Sequence, residues 1–196
     1  MPYRRVVAPA LPGLWHWSRI DGVNRSCFVR PPGRPYNGRM SEPTRQQLLQ
    51  ELQTSQQQVV DALAATERIQ DWQREPVEWS FRYLAAHLAA VERQCHLRRV
   101  KRIAAGGTPE IQGYIDIADD LGEHDMHESL RAWIAARQQL IKYVRELDDR
   151  QLRYVGIHEK IGAITVLDTL QEILEQDYGN FRHVCQLIID FCEEDE

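Results

Sequence analysis

Apolar residues recur at three- and four-residue steps in four long stretches of this chain, each bounded by residues that start or stop helices. In the first, Leu48, Leu52, Val59 and Leu63 make a stripe, with Ile69 and Trp72 near its end. Thr44 stands where it can cap, and residues 46–71 are rich in good helix formers. Pro76 then forces a connection. In the second stretch Ser80 precedes Phe81, Leu84, Leu88, Val91 and Cys95, and the pattern continues through Val100 and Ile103 until Gly106, Gly107 and Pro109 stop it. The third begins at Asp125, which has capping-box spacing to Glu128. Its wide apolar face, Leu130, Trp133, Ile134, Leu140, Ile141, Val144 and Leu147, is interrupted by Arg137. The fourth opens with a second box, Thr165 to Asp168, and carries Leu167, Leu170, Leu174, Phe181, Val184, Ile188 and Phe191, with Asp177 breaking the stripe at its midpoint. Residues 107–124 read as a long connection in which Tyr114, Ile115 and Ile117 lay an extended segment or turn across the helices. Residues 148–163 read as a loop, and no strand is predicted. The pattern therefore predicts an all-α protein, a four-helix bundle with a long crossover between the second and third helices.

Composition divides the chain in two. Residues 1–39 hold six of the nine prolines, seven Arg and one Asp, a charge of +6. The net charge of the whole chain is −5, which leaves about −11 for residues 40–196. The proline-rich segment lacks helical periodicity and reads as a disordered extension. It is Arg-rich but poor in Ser and not amphipathic, which argues against a transit peptide. Met40, followed by S-E-P-T and a clean helix, reads as the physiological start. An intact-mass measurement on native protein that found Met1 at the terminus would refute this. The acidic body makes a poor match to a phosphate backbone, so nucleic acid is excluded as a general partner. No apolar run approaches the roughly 20 residues needed to span a bilayer. The cysteines, Cys27, Cys95, Cys185 and Cys192, form no C-x-x-C pair, and Cys95 and Cys185 lie among periodic apolar residues. They read as reduced thiols of a cytoplasmic protein.

Several polar residues invite a chemical reading. His87 borders the stripe of the second helix and needs a partner. Glu92 and Arg137, on or beside apolar stripes, either pair across the bundle or lie as separate side chains whose heads reach solvent. His124, Asp125 and His127 at the start of the third helix read as solvated capping chemistry, and His96 and His183 as surface histidines. Glu172 shares a face with Gln176, which admits a substitute ligand set of His87, Glu172 and Asp177. No G-x-S-x-G, P-loop or dinucleotide fingerprint occurs.

The ordered set Trp79, Ser80, Ala86, His87, Leu88, Glu92, Arg137, Gly156, His158, Gly162, Ile164 and Thr165 resembles the DinB/YfiT-like helical bundles. The resemblance covers roughly residues 44–192. It implies a divalent metal (Zn, Ni or Mn) held by three histidines, one on the second helix and two from an H-D-x-x-H run on the last. Such a metal would serve a hydrolase or a thiol-dependent transferase. His87 aligns with the first ligand, and Gln176 and Asn180 stand at the other two positions, with Asp177 between them. Two neutral amide oxygens suit Ca²⁺ better than zinc or nickel. The expectation is thus a degenerate metal site in which His87 hydrogen-bonds the two amides, no bound cofactor, and a non-catalytic binding or assembly role. A small-molecule ligand between the helices is compatible with that role. A homodimer through helix faces, using Trp72 and Trp133, is the remaining expectation about partners.

Overall fold

A computed structural model of the chain describes residues 44–76, 78–112 and 121–194. The extension at residues 1–39, Met40 and the segment Tyr114–Ile117 lie outside the described residues. Contacts divide the chain between residues 42 and 43, and the body Pro43–Glu196 is described by itself.

The four predicted helices are present. Helix α1 spans Arg45–Ala64, and Thr44 caps it through a box with Gln47. Helix α2, Phe81–Val91, starts at the Ser80 cap, whose hydroxyl accepts from the Tyr83 N–H. A π-helical turn, Glu92–His96, joins it without a break to α3, Leu97–Ala104. Helix α4, Met126–Glu146, is capped by Asp125, which accepts from the Glu128 N–H. A short α5, Asp149–Leu152, follows, and α6, Val166–Glu194, is the longest element. Both halves of the box before α6 are made: Thr165 N donates to Asp168 Oδ2 at 2.9 Å and Asp168 N to Thr165 Oγ1 at 3.2 Å.

The contacts set the directions of the helices. Ser55 meets Asp177 and Trp72 meets Glu194, so α1 and α6 run parallel. Arg82 meets the His124 carbonyl and Glu92 meets Arg137, so α2 and α4 also run parallel. The two pairs oppose each other: His96 meets Gln176 while Arg99, further along its own helix, meets the earlier Glu172.

One feature of the loops corrects the sequence reading. A three-stranded sheet of order β1-β2-β3 is present: β1 is Glu110–Ile111, β2 Val155–His158 and β3 Gly162–Thr165. Strands β1 and β2 pair in parallel, with Ile111 opposite His158, and β2 and β3 form an antiparallel hairpin. These strands are two to four residues long, too short for alternation to show in the sequence. Gly156 allows the sheet to close on the helices: a Cβ there would stand 3.0 Å from Ile103 Cγ1 and 3.2 Å from the Pro109 carbonyl oxygen.

The two tryptophans of the expected dimer face differ in burial, Trp133 being enclosed and Trp72 half-buried. Trp133 is buried in the core, and Trp72 packs on Phe81 and Phe191 with ring centroids 6.1 and 5.6 Å away. Among the described residues no helix is long and apolar enough to cross a membrane.

Candidate functional site: a buried polar layer

Two large clusters make up most of the apolar core, beside a small third one of Ala86, Ala90 and Leu121. One cluster gathers Leu52, Val100, Leu140 and Leu170; the other gathers Val59, Phe81, Leu84 and Val184. Between them every long helix contributes polar side chains: Ser55 and Gln56 from α1, Glu92 and His96 from the π turn, Arg137 from α4 and Asp177 from α6, all buried.

Arg137 is the centre. It is 1% exposed, and its five N–H groups find five acceptors. Nε donates to Glu92 Oε1 at 2.7 Å and Nη2 to Glu92 Oε2 at 2.9 Å. Nη1 donates to Asp177 Oδ2 at 2.7 Å and Nη2 to Asp177 Oδ1 at 3.1 Å. The last goes from Nη1 to the Leu52 carbonyl at 2.9 Å. The guanidinium is thus gripped by two carboxylates, each in two-point contact, the geometry in which charge-assisted hydrogen bonds are strongest. Ser55 Oγ donates to Asp177 Oδ2 at 2.7 Å, and Trp133 Nε1 lies 3.4 Å from Glu92 Oε2. Of the two arrangements open to Glu92 and Arg137, the fold takes the buried pair. Burial pushes the Glu92 carboxyl upward, but the Arg137 charge and the contacts with His96 outweigh it, and the carboxyl falls to about 2. Burial likewise works against the Arg137 charge, and the two carboxylates overcome it, raising its affinity for the proton.

His96, read from the sequence as a surface histidine, belongs to this layer. It is 6% exposed, with Nδ1 3.1 Å from Glu92 Oε2 and Nε2 3.1 Å from Gln176 Oε1. The reason is the π turn. Leu84, Leu88, Glu92, His96 and Val100 all face inward at steps of four. A pure α-helix would rotate such a series by about 40° at each step, and the wider turn cancels that drift.

The three family-equivalent positions are placed as follows. Gln176, expected to partner His87, is hydrogen-bonded by His96. Asn180, one turn further on α6, is half-buried. The His87 ring stands 4.6 Å from that of Trp79 and 6.5 Å from that of Tyr83, to which it is nearly parallel. Burial, and to a smaller extent the neighbouring His96, holds its pKa down to about 4. The substitute set His87, Glu172 and Asp177 does not assemble, because Glu172 is bonded by Arg99 at 2.9 Å and Asp177 by Arg137. At the start of α4, Asp125 serves as the cap, and the exposed His127 meets Glu67 at 3.1 Å. His183 is half-buried, and burial lowers its pKa.

A divalent metal of the family's kind does not fit this donor set. One imidazole and two amide oxygens make a weak transition-metal site, and the oxygen of Gln176 is already engaged. Among the described residues no group of three or more His, Cys, Asp or Glu is arranged to hold a metal ion.

Fold and layer together define an all-α four-helix bundle with parallel α1/α6 and α2/α4 pairs, closed across its middle by a buried ion-pair network. The profile of the DinB superfamily matches residues 65–181, and the chain belongs to that superfamily. Among solved structures it is similar to YfiT from Bacillus subtilis, described as a probable metal-dependent hydrolase with an unusual four-helix bundle topology. The two share 20% identity at a TM-score of 0.65, over 79% of this chain and 91% of YfiT, a likeness that extends to the fold. No curated protein matches the chain.

Proposed function

We propose that this protein is a non-catalytic binding or assembly member of the DinB superfamily, whose metal site has been replaced by a self-satisfied polar layer. The observation that carries the reading is the His96–Gln176 hydrogen bond. It commits the oxygen at one of the ligand positions to a contact inside the fold. The adjacent Asp177 is committed as well, to Arg137 and Ser55. With its guanidinium, carboxylates and hydroxyl paired, the layer offers structural specificity and no group poised to activate water.

The alternative reading is a divalent-metal-dependent hydrolase or thiol-dependent transferase of the DinB/YfiT type. One feature favours it: the depressed pKa of His87 keeps its ring neutral at pH 7, as a metal ligand must be. Metal analysis of protein purified without an affinity tag separates the two. The non-catalytic reading expects Zn, Ni and Mn far below stoichiometry. About one equivalent per chain, lost in His87→Ala, would establish the alternative.

A further inference from the structure

We propose a second site, independent of the polar layer: a niche for a small carboxylate formed by His158, Arg99 and Glu172 where the sheet meets α3 and α6. His158, the last residue of β2, is 4% exposed. Its Nδ1 accepts from the backbone N–H groups of Lys160 at 3.2 Å and Ile161 at 3.4 Å. Nδ1 therefore carries no proton, and the neutral ring carries its proton on Nε2. Among the described residues that nitrogen is the buried side-chain atom left with no hydrogen-bond partner. An imidazole N–H enclosed in this way is a donor waiting for an acceptor.

Its surroundings identify the acceptor. Gly156 and His158 lie on the same face of β2, and the space at Gly156 is closed by Ile103 of α3. Arg99 is one turn before Ile103 on the same side of α3. It is itself buried; Nη1 donates to Glu172 Oε2 at 2.9 Å and Nη2 to the Gln112 carbonyl at 3.3 Å. Gln112 directly follows Ile111, the residue paired with His158 across the β1–β2 ladder. The His158 pKa responds to the same neighbours: burial lowers it most, Arg99 lowers it further, and Glu172 raises it.

A guanidinium and an imidazole N–H on adjoining elements can act as a donor pair for a planar anion, and Arg99 already holds one carboxylate, that of Glu172. Glu172 is bound to Arg99 by a single contact, and its side chain is 28% exposed, the most open of the three. A carboxylate from solution would take its place on Arg99 and accept from His158 Nε2. A metal is not the ligand, because Nε2 bears the proton while Nδ1 is occupied as an acceptor. With Glu172 ionised the niche has no net charge and a nearby repelling one. Removing that charge should tighten binding on the order of tenfold.

The test uses the full-length ¹⁵N-labelled chain and follows the His158 Nε2–H resonance during titration with acetate at constant ionic strength, with phosphate and chloride in parallel. The proposal expects a saturable downfield shift with acetate, on the order of tenfold tighter in Glu172→Gln. In that background His158→Phe should abolish binding and His158→Gln, which keeps an N–H donor, should retain part of it. A non-saturating response overturns the proposal, because acetate would then have no defined site at the nitrogen. Equal binding with and without His158 overturns it too, as does a preference for phosphate or chloride over acetate.

Discussion

Arg137 shows at the scale of one residue why the layer holds. Its charge is useful only because Glu92 and Asp177 meet it from two helices, and either carboxylate would be stranded without it. Arg137→Met should therefore cost about 3–5 kcal/mol in urea unfolding, whereas replacing Arg137, Glu92 and Asp177 together by apolar residues of similar volume should cost less than the single change. His87 carries the pH dependence. Its pKa is about 4 in the fold and 6.5 in the reference state, so on acidification the unfolded chain takes up the proton first. The stability due to its neutral form is complete above pH 6.5 and is lost as the pH falls toward 4, by at most about 3 kcal/mol. His87→Gln should flatten the urea midpoint over that window, and an unchanged slope would refute the assignment. His158 and His183 are depressed in the same direction. Glu92 acts in a lower window, because its stabilisation is present above pH 4.5 and fades as the pH falls toward 2.

At the scale of elements, the π turn and the small sheet are what a 3.6-residue template misses. Helix starts were legible because a cap is a local matter: Thr44, Ser80, Asp125 and Thr165 each bond within three residues of themselves. The extra residue in Glu92–His96 has a subtler signal, the uninterrupted run of four-residue steps from Leu84 to Val100. Deleting Gln94 should restore α-helical register and turn either Glu92 or Val100 away from the core, destabilising the protein at least as much as Arg137→Met. Unfolding midpoints of the two variants would check this. Gly156 makes the matching case for the sheet. A methyl group there meets the Pro109 backbone oxygen as well as Ile103, and the backbone has little room to yield. Gly156→Ala should lower stability by about 1–3 kcal/mol, read as a lower thermal midpoint.

For the whole molecule, the question is whether the bundle still remembers a metal site. Gln176→His combined with Asn180→His supplies two imidazoles at i, i+4 on α6, which with the neutral ring of His87 would make up the family's three-histidine set. Calorimetry should find strong zinc or nickel binding in this variant and none in the parent; an intact fold that fails to bind would mean that His87 does not face those positions. The sequence by itself determined the four helices, their caps and the inward stripes, because periodicity and capping act over a few residues. It also marked the polar interruptions at Glu92, Arg137 and Asp177, but not which of them meet. Only the tertiary structure decided that these three lie at one height of the bundle with Ser55, that His96 rather than His87 takes Gln176, and that Arg99 joins Glu172. Such pairings depend on helix direction and on the rotation introduced by one π turn, and a spacing along the chain specifies neither.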